Sequence, residues 1–207
     1  MKLLQILLPL VILFVHGLVY NGIGEIAAAR GVDYGPLLKI PLDAHIPLVP
    51  VFVLAYLLVW FFPLALIAVV AWERGLDPAP FRRLSVELLA LMLTCYALWI
   101  VFPVSVDLRV EDSALERHGW LGELVGFNYG RASLWNACPS FHVAGPWLLC
   151  RALPPSHRAW RVIFWAAVAA IMASTVLIRI HYLLDIVFGV AVAEFVHHLV
   201  RRRWAST

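Results

Sequence analysis

Two short stretches hold the residues most able to do chemistry. The first is Ser174-Thr-Val-Leu-Ile-Arg-Ile-His-Tyr-Leu-Leu-Asp185, where Arg179, His181 and Asp185 sit among apolar neighbours. Ionisable groups in such surroundings are costly and mark candidate functional sites. His181 and Asp185 are four apart, a spacing that puts them on one face of a helix. An aspartate so placed can accept the Nδ1 proton of the imidazole, fix its tautomer and leave Nε2 free as nucleophile or base. The same spacing also suits a buried structural His–Asp pair, or a pair wetted at a helix end.

The second stretch is Cys138-Pro-Ser-Phe-His-Val-Ala144. Pro139 fits the first turn of a helix, where its missing N–H had no partner to lose. The N–H groups around Ser140 and Phe141 would then form a positive helix end suited to phosphate. His142 would stand beside that anion as a general acid. Pro139 and Ser140 alone read better as an ordinary helix start; the histidine two residues on, facing the same side as the His181–Asp185 pair, shifts the balance toward the chemical reading. Arg109, Arg131 and Arg179 offer cations for the non-bridging oxygens of a phosphoryl group, though each alone also reads as a solvated or headgroup-facing side chain.

The elements that must position these groups are membrane helices. The 207 residues are 63% apolar and 14% charged, with a mean hydropathy of +0.87. That is too much apolar surface for a soluble fold of this size to hide, since soluble domains run to about half apolar and about a quarter charged. Runs of about 20 apolar residues span a bilayer, and six segments qualify: 3–20, 46–72, 84–104, the shorter 138–153, 160–178 and 182–200. The expectation is an all-α integral membrane bundle of six transmembrane helices, one domain over 1–207. Segment 3–20 exceeds the usual length of a signal-peptide core, so it reads as a retained helix, with Ala27-Ala28-Ala29 the distant alternative cleavage site.

Lys and Arg set the orientation. Lys2, Arg74, Arg82, Arg83, Arg151, Arg158, Arg161, Arg201, Arg202 and Arg203 fall on one side, against Arg30, Lys39, Arg109, Arg117, Arg131 and Arg179 on the other. Both termini should be cytoplasmic and both candidate stretches should face outward. His197 and His198, beside Arg201–Arg203, read as a headgroup-binding end. Trp72, Trp160 and Trp204 read as interfacial belt residues. Cys95, Cys138 and Cys150 lack metal-site spacing and read as small buried hydrophobes. A basic run interleaved with aromatics, a P-loop, a Gly-x-Gly-x-x-Gly and a His-Glu-x-x-His are all missing, which excludes the usual nucleic-acid, nucleotide and zinc-protease signatures.

Together the two stretches resemble the type 2 phosphatidic acid phosphatase superfamily, whose motifs are Lys-x6-Arg-Pro, Pro-Ser-Gly-His and Ser-Arg-x5-His-x3-Asp. Pro139-Ser140-Phe141-His142 matches the second, and Ser174-Thr175, five residues, His181, three residues and Asp185 match the third. In place of the first motif stands only Phe102-Pro103-Val-Ser-Val-Asp-Leu-Arg109. Phe141 replaces the usual Gly and Thr175 the usual Arg. These looser motifs look like the branch containing inositol phosphorylceramide and sphingomyelin synthases, as does Leu42-Asp-Ala-His-Ile-Pro-Leu-Val-Pro50 leading into Phe52 and Tyr56.

The resemblance implies a lipid phosphatase or phosphotransferase that needs no metal or organic cofactor. His181, oriented by Asp185, would attack phosphorus and form a phosphohistidine, and His142 would protonate the leaving oxygen. Ser140, Phe141, Ser174, Arg109, Arg131 and Arg179 would hold the phosphate. The partners expected are membrane lipids and a phosphorylated lipid substrate, with no nucleic acid. Small size and short loops point to a bacterial inner membrane, with the active site on the periplasmic face. The competing reading is a non-catalytic lipid-binding or assembly protein that keeps the fold. A transporter fits poorly, because the second and third segments hold few polar residues beyond Glu87 and Thr94.

Overall fold

The computed structural model describes residues 2–204, and among them ten α-helices and one 3-10 turn account for nearly all regular structure. In chain order they are α1 (Lys2–Ala28), α2 (Gly35–Leu38), α3 (Pro41–His45), the 3-10 turn Pro50–Phe52, α4 (Val53–Glu73), α5 (Ala79–Val101), α6 (Asp112–Glu116), α7 (Gly119–Arg131), α8 (Phe141–Ala152), α9 (Arg158–Leu177) and α10 (Leu183–Trp204). The all-helical reading holds. Five helices, α1, α4 with its leading 3-10 turn, α5, α9 and α10, are long and apolar enough to cross a membrane.

The fourth expected span differs. α8 has 12 residues, a rise of about 18 Å against a hydrocarbon core of about 30 Å. What α8 lacks in length it makes up in burial. Val143, Ala144, Leu148 and Leu149 are inaccessible or nearly so, and the helix packs against α10, α5, α9 and α4. The longer helices carry the exposed apolar residues instead, such as Leu4, Phe14 and Leu18 on α1 and Trp60 and Phe61 on α4.

Local sequence explains where the helices begin. The expected second span starts at 46, but α4 begins at Val53. Pro47 and Pro50 push the preceding Ile46 and Val49 out of helical geometry: Ile46 is extended (ψ 120) and Val49 has ψ 84. α1 runs on past Tyr20, where Gly24 and Ala27 stay buried after the apolar run has ended, Gly24 close against Ser133 and Asn136.

The bundle has two unlike ends. At one, Arg74 donates to the Pro154 carbonyl and Arg83 to that of Ala152, while Glu73 accepts from the amides of Ser156 and His157. Arg151 Nε lies 2.6 Å from Glu194 Oε1, tying α8 to α10. His197 lies close to this end but does not face headgroups as expected. It is 2% exposed, and its Nδ1 is 2.8 Å from Oε2 of the fully buried Glu87. Arg83 Nε stands 3.2 Å from the other oxygen of Glu87. A buried acid in an apolar bundle needs such company, and the adjacent, exposed His198 lies 3.3 Å from Glu194 Oε2. The opposite end carries the connections that hold His142 and His181.

α8 and α10 meet there at a glycine. A Cβ on Gly189 would lie 2.8 Å from the Ser140 carbonyl oxygen, a backbone atom that cannot swing aside. Gly189→Ala should therefore destabilise the protein by about 1–3 kcal/mol, the usual cost of overpacking. A thermal shift in detergent would read it, and an unchanged Tm would show that α8 slides freely on α10.

Candidate active site

His181 lies in the tight connection between α9 and α10. The Thr175 carbonyl accepts from the amides of both Ile180 (3.1 Å) and His181 (3.2 Å), which ends α9. Arg179, between helix and turn, takes φ of +60, a conformation costing a non-glycine residue about 1–2 kcal/mol. Its guanidinium offsets that by donating Nε to the Leu108 carbonyl (2.8 Å) and Nη1 to that of Ile46 (3.2 Å). Arg179 thereby clamps three connections together around the histidine.

Asp185 does two jobs. Oδ2 accepts the Tyr182 amide at 2.9 Å and lies 3.1 Å from His181 Nδ1. Because α10 starts at Leu183, His181 precedes the helix rather than sharing its face. The four-residue spacing works through the N-terminal cap, in which a third-turn-position acid reaches back to the capping residue. Asp43, fully buried, completes the arrangement by accepting the Leu183 amide at 2.9 Å and the Ile40 amide at 2.8 Å. Tyr182 is anchored in turn: its hydroxyl donates to Asp107 Oδ1 at 2.7 Å, and Lys39 Nζ reaches Asp107 Oδ2 at 2.7 Å. The Lys39 ammonium holds the Asp107 carboxyl below the ordinary carboxylate range, with Tyr182 adding to the effect.

With Nδ1 committed to Asp185, His181 presents Nε2 to α8. Ser140 Oγ is 3.1 Å away and His142 Nδ1 3.4 Å. Pro139 follows a cis peptide and precedes the helix, so Ser140 is the capping residue (φ −68, ψ 113) and Phe141 the first helical one. The Ser140 amide donates to the Asp185 carbonyl at 3.2 Å. The Val143 and Ala144 amides donate to the Ser140 carbonyl, so the amides at this helix start with no backbone acceptor are those of Phe141 and His142, one residue later than expected. His142 is half-buried, with Nε2 2.8 Å from the Tyr56 hydroxyl and Tyr20 edge-on at 6.1 Å between ring centroids. The Phe141 ring turns away from the histidines and stacks on His16 at 3.8 Å.

The structure thus gathers His181, Asp185, His142 and Ser140 within direct contact. It places the other expected site residues differently. Arg109 donates Nη1 to the Tyr129 carbonyl (2.7 Å) and Nη2 to that of Ala132 (3.0 Å), with its guanidinium 5.2 Å from the Tyr129 ring. Burial lowers its pKa from the ordinary value, yet a guanidinium stays charged. Ser174 is wholly buried and its hydroxyl donates to the Ile171 carbonyl at 2.6 Å. Arg131 is exposed over the Phe127 ring at 5.0 Å. Sequence reasoning missed Asp43 as a support, although an acid flanked by apolar residues and prolines in 42–50 is a readable signal. Tyr56 stands out in the sequence only through the resemblance of the 42–50 stretch leading into it, with no role attached. All three cysteines are buried and free, as expected.

Five apolar helices long enough to cross a membrane define the class as an integral membrane protein, with two histidines meeting at one end of its bundle and one of them held by a carboxylate. The family model described as PAP2 superfamily matches residues 22–199, and the chain belongs to that superfamily. The superfamily generally comprises phosphatases, which supports an enzyme of phosphatase or phosphotransferase type. No curated protein and no solved structure matches the chain.

Asp43→Ala should leave the Leu183 and Ile40 amides buried without acceptors, at about 1–3 kcal/mol each. The expected result is a lower Tm together with weakened catalysis from a less ordered His181. Wild-type stability and activity in the variant would remove Asp43 from the site's scaffold.

Proposed function

We propose that the chain is a metal-independent lipid phosphatase or phosphotransferase working through a phosphohistidine. The observation that carries this reading is the run Asp185–His181–His142, in which an oriented Nε2 faces a second imidazole at 3.4 Å with Ser140 beside it. His181 Nε2 attacks phosphorus while His142 gives a proton to the departing oxygen. Water or a lipid hydroxyl then attacks the phosphohistidine, with His142 taking back a proton. A phosphoryl group needs more room than 3.4 Å between the two nitrogens, so the rings part as phosphate is bound. The first-turn amides of α8 and the Ser140 hydroxyl are the proposed cradle. Arg109 and Arg179, each with donors already on carbonyls, add positive potential at that end, and Arg131 and Ser174 are the weaker candidates.

In the membrane, α8 is the sixth embedded helix, enclosed by the five longer ones. The termini lie in the cytoplasm and the site at the outer face, as the distribution of Lys and Arg favours. A bacterial inner membrane is the proposed setting. The acyl chains of the substrate lie between helices while its phosphate meets the histidines. The loosened motifs favour the phosphotransferase branch similar to inositol phosphorylceramide and sphingomyelin synthases, in which a lipid hydroxyl replaces water.

Purified protein in detergent, given a panel of lipid phosphates and phospholipids without added metal, tests this. His181→Ala and His142→Ala should each lose activity by at least about 100-fold, within the range that acid–base groups contribute, while retaining the wild-type Tm. Acid-labile phosphate should be trapped on wild type and not on the His181 variant. Free phosphate marks a phosphatase and a new phospholipid a transferase. Full activity in either folded variant, or none in wild type across the panel, would favour the non-catalytic lipid-binding alternative.

A further inference from the structure

We infer that Tyr56 is a positioning residue for the proton-transferring histidine: by holding His142 Nε2 it makes Nδ1 the nitrogen that gives and takes the proton. The inference rests on the two-histidine reading above and adds to it a residue and a choice of atom.

Three features of the geometry support it. Tyr56 OH lies 2.8 Å from His142 Nε2, while His142 Nδ1 is the nitrogen turned to His181 Nε2 at 3.4 Å. An imidazole with one nitrogen engaged presents only the other to the reacting centre. Tyr56 itself is fixed, being 3% exposed and packed with Val53, Leu115, Val125, Tyr129 and Ile178 in a separate apolar cluster. The Val49 amide donates to the Leu177 carbonyl at 2.8 Å, which locks the approach to α4 onto the end of α9. The hydroxyl is therefore delivered by rigid backbone rather than by a mobile loop.

The proton balance follows. In the first step His142 is an imidazolium, with Nε2–H donated to the Tyr56 oxygen. The N–P bond forms at His181 Nε2, the P–O bond to the leaving group breaks, and the Nδ1 proton of His142 goes to that oxygen. His142 is left neutral, still donating Nε2–H to Tyr56. In the second step water or a lipid hydroxyl attacks phosphorus, the N–P bond breaks and His142 Nδ1 accepts the nucleophile's proton. The imidazolium is restored, and Tyr56 neither gains nor loses a proton. A hydroxyl is suited to this duty because it can also donate to Nε2 whenever that nitrogen is bare.

Tyr56→Phe keeps the ring and removes only the hydroxyl. With phosphatidic acid, whose leaving alkoxide must be protonated, kcat should fall about 10- to 100-fold at unchanged KM, a part of the range general acids contribute. With p-nitrophenyl phosphate, whose leaving group departs without a proton, the nitrophenolate burst should fall no more than about twofold. The double variant Tyr56→Phe/His142→Ala should be no slower than His142→Ala alone, as expected of groups acting through one another. Equal losses on both substrates, multiplying losses in the double variant, or full activity of Tyr56→Phe would overturn the assignment while leaving the two-histidine mechanism standing. A wild type inactive on both substrates, or a fully active His142→Ala, would overturn the mechanism and this inference with it.

Discussion

Two carboxylates with no solvent exposure, Asp185 and Asp43, organise the site end of the bundle. A carboxylate taken out of water must be met by donors, and here the donors are mostly backbone amides. Asp185 caps the first turn of α10 through Tyr182, and Asp43 accepts the next amide from a distant connection. His181 is fixed as a by-product of ending one helix and beginning another. Its orientation does not depend on a dedicated loop, because the residues that cap α10 are the residues that aim the imidazole.

The second histidine is held by different means. α8 brings His142 to the site only because it is short, buried on nearly every side and pressed against α10 at Gly189. A full-length span at that place would present its N-terminus nearer the membrane surface, away from His181. Connections far apart in the chain then close over the pair through side chains bonded to carbonyls. Arg179 joins 46 and 108, Arg109 joins 129 and 132, and Tyr182 joins 107. Arginine suits such stitching, since its fork of donors reaches several carbonyls while one charge stays delocalised.

Much of this was legible in the sequence. Apolar length located five crossing helices, and the His–x3–Asp and Pro-Ser-x-His spacings identified the groups that meet. What failed to show was how each spacing is used. His181 and Asp185 were expected on one helical face, whereas the pair forms across a cap, because four residues span both arrangements. Arg109 and Arg179 were legible as cations but not as carbonyl clamps, since a positive charge reads alike whether it faces phosphate or backbone. His197 read as a headgroup ligand beside three arginines; its partner Glu87 lies 110 residues earlier, a distance over which no local pattern operates. Tyr56 and Asp43 likewise act across the fold: the stretch that holds them stood out in the sequence, but their partners His142 and Leu183 appear only in the packing.

The pair at the far end of the bundle bears on how the chain is built. α5 precedes α10 in the chain, so Glu87 is made well before His197. Throughout that interval Arg83, one helical turn away and 3.2 Å distant in the finished fold, is a counterion already on the same helix. The arginine that is stitched to the Ala152 carbonyl therefore also gives Glu87 a counterion that does not depend on α10 being in place.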